Sequence, residues 1–122
     1  MKGNDLVFKK IVNRFAETVI AQNTATMKAD TATANRQAKK RSGLFKKLRA
    51  YGDDGREALS ELFNHPRPDV REMAAVYLLR YKHKEAMAIL KELSKRGDLV
   101  GFGAGQAIQR WNEGEWQIDP AD

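Results

Sequence analysis

Leu59-Ser60-Glu61-Leu62-Phe63-Asn64-His65-Pro66-Arg67-Pro68-Asp69-Val70-Arg71-Glu72-Met73-Ala74-Ala75-Val76-Tyr77-Leu78 is the stretch whose reading decides the fold. Leu59, Leu62 and Phe63 supply the buried edge of one helix, and the pattern stops at Asn64-His65-Pro66. A second helix opens at Pro68-Asp69, where proline sits in the first turn and its missing N–H costs nothing. Val70, Met73, Ala74, Tyr77, Leu78 and Tyr81 then step by threes and fours. Two helices joined by a tight turn follow from the pattern.

Shifting the chain by thirty residues sets Val70 on Val100, Ala74 on Ala104, Leu78 on Ile108, Arg80 on Arg110 and Tyr81 on Trp111. The same shift sets Ala58 on Ala88, Leu59 on Ile89 and Phe63 on Leu93, so a whole helix-turn-helix unit recurs. Helix five carries Ala86, Ile89, Leu90 and Leu93 and ends at Gly97; helix six runs from about Asp98 to Trp111.

Towards the N-terminus, helix one covers about Asp5 to Ala21, with Val7, Ile11, Phe15 and Val19 four apart and Leu6, Val12, Ala16 and Ile20 widening the stripe. Asn23-Thr24 has the chemistry of an N-cap, which places helix two over about Thr24 to Ala50. Its apolar side gathers Met27, Thr31, Ala34, Ala38, Phe45 and Leu48, and Gly43 marks a point where it bends or splits. Gly52-Asp53-Asp54-Gly55 precedes helix three, with Asp54 and Glu57 at capping-box spacing.

Leu59-x-x-Leu62-Phe63-x-His65-Pro66-x-Pro68-Asp69-Val70-Arg71-x-x-Ala74-Ala75-x-x-Leu78 resembles one HEAT repeat. In that family the Asp-Val-Arg turn opens the second helix and the Ala-Ala pair lets it pack close against the first. The likeness is specific over residues 57 to 81; at 84 to 111 Gly101 stands where the motif has arginine, and before residue 50 only the architecture is similar. The whole chain also resembles a family of small bacterial HEAT-like domains, with its long N-terminal helix pair, Asn35-Arg36, the His65-Pro66 turn and the Trp111-x-x-Gly114 ending. The resemblance implies an all-α fold: a short right-handed alpha-alpha superhelix (HEAT/ARM-like) of about three antiparallel helix pairs. The pairs are about 5–50, 55–81 and 84–111 of a single domain spanning 1–122, with 112–122 as a C-terminal tail or cap. It implies no assigned reaction, and in some small members a toxin-neutralising role.

The 122 residues suit one domain and include no cysteine, which removes disulfides, thiolate metal sites and cysteine nucleophiles. The first residues lack the unbroken apolar run of a secretory signal, and no stretch of about twenty apolar residues exists to span a membrane. A cytoplasmic protein is the expectation. Gly101-Phe102-Gly103-Ala104-Gly105 lacks the preceding strand of a nucleotide loop, so close helix packing or a frayed helix start explains it. His65 and His83 both sit beside turns, away from any metal-binding spacing, and no nucleophile elbow surrounds Ser42, Ser60 or Ser94.

Charge is the feature that stands out. The chain is +6 overall with a pI near 9.7, yet residues 31–52 alone hold Arg36, Lys39, Lys40, Arg41, Lys46, Lys47 and Arg49 and no acid, a charge of +7 that leaves the remainder at −1. At about 100° per residue, Arg36, Lys39, Lys40, Lys46 and Lys47 fall within a sector of about 120° opposite Ala34, Ala38, Phe45 and Leu48. Such a face is either a solvated surface or a site for phosphates or an acidic protein.

The expectation is a non-catalytic binding module that engages an acidic protein through Arg36, Lys39, Lys40, Lys46 and Lys47, acting as a regulatory partner or, as the resemblance implies, a toxin-neutralising one. An alternative site on the concave face comprises Arg71, Tyr77 and Trp111. Nucleic-acid binding and an enzyme are the alternative functions. No catalytic residue, cofactor or metal is expected, and the chain is read as a monomer or weak homodimer. Membrane-surface attachment through Lys9, Lys10 and Arg14 is disfavoured because the apolar stripe of helix one is assigned to the core.

Overall fold

The computed structural model describes residues 4–120. They form six α-helices: α1 (Asp5–Met27), α2 (Thr31–Arg49), α3 (Asp53–Leu59), α4 (Pro68–Leu78), α5 (His83–Leu93) and α6 (Leu99–Asn112), with a 3-10 segment at Ser60–Asn64 between α3 and α4. Among the described residues there is no strand. The chain divides into two compact units, residues 1–59 and 60–122. The boundary splits the helix expected after Gly55: α3 packs with α1 and α2, whereas the 3-10 segment packs on α4.

In the first unit α1 and α2 pack against each other, but the turn between them lies later in sequence than Asn23-Thr24. Helix α1 runs on to Met27 and closes with a Schellman pattern: Asp30 N–H donates to Ala25 O at 2.8 Å and Ala29 N–H to Thr26 O at 3.0 Å. The left-handed position that this turn needs is filled by Ala29, at φ 60°, rather than by glycine. Asp30 then caps α2 by accepting from Thr33 N–H at 3.1 Å. Asn23-Thr24 is therefore interior helix, and Met27, expected on the apolar side of α2, is the last residue of α1 and 87% exposed.

The buried stripe of α1 is Phe8, Val12, Phe15, Ala16 and Val19. It is turned away from the expected one at its start: Phe8 is inside, while Leu6 and Val7 are exposed and Ile11 is half-buried. From α2 come Ala34, Leu44, Phe45 and Leu48, and with them Arg41, 4% exposed, whose Nη2 donates to Gln22 Oε1 of α1 at 2.6 Å. Gly43 does not split α2, which runs unbroken from Thr31 to Arg49. Gly52, at φ 70°, turns the chain into α3, which starts at Asp53, so Asp54 lies inside the first turn rather than at the cap. Gly55 lies against the Leu48 carbonyl, where a methyl group would overlap backbone.

In the second unit α4 packs on α5 and α6, and α5 packs on α6. Ala74, Ala75, Leu78, Leu79, Ala86, Leu90 and Ala104 are wholly inaccessible. Arg71 Nη1 donates to His65 O at 2.7 Å and to Pro66 O at 3.1 Å, tying the turn to the start of α4. Arg67 forks onto the buried Asp69, Nε to Oδ1 at 3.0 Å and Nη2 to Oδ2 at 2.8 Å. Arg96 forks likewise onto Asp98 before α6, Nε to Oδ1 at 3.2 Å and Nη2 to Oδ2 at 2.7 Å. These forks recur at twenty-nine residues while Ala74 and Ala104 match at thirty, because Asp69 lies within the first turn of α4 and Asp98 is the N-cap of α6, accepting from Gly101 N–H at 3.1 Å. Gly114, at φ 78°, ends α6 with the same two-bond pattern as Ala29: Glu115 N–H to Arg110 O and Gly114 N–H to Trp111 O.

Thermal melts of three variants test this packing. Ala29→Gly should stabilise by about 1 kcal/mol, by removing the Cβ penalty of a left-handed residue. Ala74→Leu and Gly55→Ala should each destabilise by about 1–3 kcal/mol, one by overfilling a closed core and the other by forcing α3 off Leu48. A parent-like melt for Ala74→Leu would mean that α4 is packed in a different register.

Candidate functional site

All five cations of the expected site are exposed on α2. Arg36 is steadied by its Nη2 donating to Thr33 Oγ1 at 2.9 Å. No acid occurs anywhere in α2. The seventh-residue spacing of Lys40 and Lys47 puts them on one edge of this face, and Lys39 and Lys46 stand about 100° round the axis from them.

That edge borders a groove which the sequence did not disclose. Two adjoining hollows, about 390 and 540 Å³, run along one side of the α1–α2 pair and share Arg14, Leu44 and Lys47. Lys10 and Arg14 stand on the α1 flank, Lys40 and Lys47 on the α2 flank, and Glu17 is the one acid in the lining. The apolar surface comes from Val7, Ile11, Leu44 and Tyr51. Tyr51 also meets Phe8 edge-on, ring centres 5.0 Å apart. The exposed Val7 and half-buried Ile11, which periodicity alone assigns to the core, are thus part of this surface.

The alternative residues do not share one role. Arg71 holds the turn described above. Trp111, half-buried, lies 5.0 Å from the His83 ring and 5.8 Å from that of Trp116, with the Arg80 guanidinium 5.7 Å from its ring centre. Tyr77 is half-buried near the end of α4.

Two of the three glycines in the run at 101–105 sit at close contacts. Gly101 lies against the Arg96 carbonyl, and a methyl at Gly103 would strike the Glu72 carboxylate, whereas Gly105 faces open space. Burial, with the nearby Asp69 and Asp98 carboxylates, pushes Glu72 up to about 7. Asp98 is held below the usual carboxylate range by the Arg96 fork and the Gly101 N–H. Among the described residues no group of three or more acids and histidines is placed to hold a metal ion, and no helix is long and apolar enough to cross a membrane.

A family model described as "Domain of unknown function (DUF2019)" matches residues 9–109. The chain belongs to the DUF2019 family. A search of curated proteins gave no match. Among solved structures, the crystal structure of the protein RPA1889 from Rhodopseudomonas palustris CGA009 is similar in fold, with a TM-score of 0.81 and 23% identity over 99% of this chain and 100% of that one. At that identity the likeness concerns the fold alone. The DUF2019 match includes α2 and most of the groove, from Lys10 to Tyr51.

Glu72 gives this chain a testable pH dependence. Its carboxyl is raised in the fold above an ordinary value of 4.5, so the stability it contributes is full below about pH 4.5 and is lost as pH rises through 7. After allowance for its partial exposure, the loss should be about 1–2 kcal/mol between pH 5 and 8. Glu72→Gln should flatten that slope and raise the melting temperature at pH 8. Parallel curves for parent and variant across this range would contradict it.

Proposed function

We propose that this DUF2019 chain is a non-catalytic binding module whose basic helix α2 takes an acidic protein, through Arg36, Lys39, Lys40, Lys46 and Lys47. The observation that carries the reading is the exposure of all five cations on a helix without a single acid. Cations gathered on one face raise the local concentration of anionic partners and speed encounter. The reading also takes the helix pairs to be HEAT-like, built into a short right-handed superhelix. The Arg71-bound turn and the inaccessible Ala74-Ala75 pair support that kinship. A regulatory protein or a toxin with an acidic surface has the required chemistry.

Reversal of Lys39, Lys40, Lys46 and Lys47 to glutamate tests the proposal, since exposed substitutions usually change stability by less than about 0.5 kcal/mol each. The helical circular-dichroism spectrum should persist while acidic proteins captured by the parent are lost. An acidic protein should show a defined stoichiometry and a shallow, screening-type salt dependence. Capture of nucleic acid instead, with affinity falling log-linearly in salt, would overturn the acidic-protein reading. Identical captures by parent and reversed chains would show that the lysine face is only solvated.

A further inference from the structure

The groove beside α1 and α2 allows the partner to be described more closely. Its α1 flank follows residues 7, 10–11, 14, 17–18 and 21, and its α2 flank residues 37, 40, 43–44 and 47, continuing to 50–51. Both series advance by about 3.5 residues, the spacing of one helix face. From Val7 to Ala21 the groove extends for about 21 Å, or about four helical turns. It is a trough with the length of a short helix, apolar within and cationic along both edges.

Gly43 adds an independent observation. It lies in the interior of α2, where glycine is a poor helix former, yet a Cβ there would meet nothing within 4 Å. Neither its backbone conformation nor any neighbour requires glycine. It lines the trough beside Leu44, and the missing side chain leaves room for a second helix to approach the α2 backbone.

We infer that the α1–α2 groove is a docking site for an acidic amphipathic helix of a partner protein, its apolar stripe on Val7, Ile11 and Leu44 and its carboxylates facing Lys10, Arg14, Lys40 and Lys47. This rests on the acidic-protein reading and moves its centre from the outer face of α2 to the groove edge. Charge complementarity selects this occupant. A second copy joined face to face by a two-fold axis would set the cationic edges against each other. Phosphates would gain nothing from the apolar floor, whereas a helix laid in a groove uses floor and edges together.

The test is selection of displayed random 18-residue peptides on the full chain, followed by titration of the enriched peptides against variants that retain the parent's circular-dichroism spectrum and melt. Enriched sequences should carry apolar residues at i, i+3 or i+4, and i+7, flanked by Asp and Glu, and should gain helicity on binding. Gly43→Leu, which fills the trough without changing charge, should weaken them at least about tenfold, as should Lys40→Glu with Lys47→Glu. Lys39→Glu with Lys46→Glu, on the outer face, should weaken them clearly less than Lys40→Glu with Lys47→Glu. A conservative check, Gly43→Ala, should bind more tightly than Gly43→Leu.

Enriched peptides that are acidic but indifferent to Gly43→Leu, and weakened more by Lys39→Glu with Lys46→Glu than by Lys40→Glu with Lys47→Glu, would overturn the groove while leaving the acidic-partner reading intact. Enriched peptides without acidic residues, or tighter binding of a 20-base-pair DNA duplex than of any peptide, would overturn both. Self-association abolished by Gly43→Leu would assign the groove to a second copy and overturn the inference.

Discussion

A helix pair can bury one stripe on each partner, and the rest of the first unit follows from how that stripe is used. In helices of 23 and 19 residues, most positions lie outside the buried stripe. Phe8, Val12, Phe15 and Val19 are committed on α1, and Leu44, Phe45 and Leu48 on α2. Leu44 is the pivot, buried yet lining the groove. Val7 and Ile11 therefore fall beyond the committed stripe and form the floor of a trough, and the cations next to them become its edges. The apolar surface and the charge arise from the same helical rotation.

Arg41 shows the other side of that geometry. At 100° per residue it lies among Ala34, Ala38, Phe45 and Leu48, so its inward position follows from the helical wheel even though its type suggests the surface. Its bond to Gln22 Oε1 links α1 and α2 inside the pair. A buried guanidinium is costly unless its donors are met, so this bond helps fix how the two helices are set against each other. Only six of the seven cations between residues 31 and 52 are thus outside the core, five of them on the expected face.

Six helices, their approximate limits in the second unit and the inaccessible Ala74 and Ala104 were legible because glycine and proline punctuate that half. Gly114 occupies the left-handed position that ends α6, and the Trp111-x-x-Gly114 spacing declares it. The same backbone pattern at the end of α1 uses Ala29, which carries no such signal, so the turn lies later than Asn23-Thr24 would put it. The lysine face was readable from one helix. The groove was not, since Lys10 and Arg14 join Lys40 and Lys47 only after α1 folds back along α2, and a single-helix projection assigned Val7 to the core. Gly43 looked like a break when read along the chain, whereas in the folded pair it is open space beside a trough.

The most direct measurement is a titration of the isotopically labelled full chain with an enriched acidic helical peptide, followed by amide chemical shifts. Perturbations concentrated in residues 7–21 and 37–51, with the amides of α4 to α6 little changed, are the expected result. Shifts centred on Arg71, Tyr77 and Trp111 instead, or confined to the outer lysines Lys39 and Lys46, would contradict binding in the groove between α1 and α2.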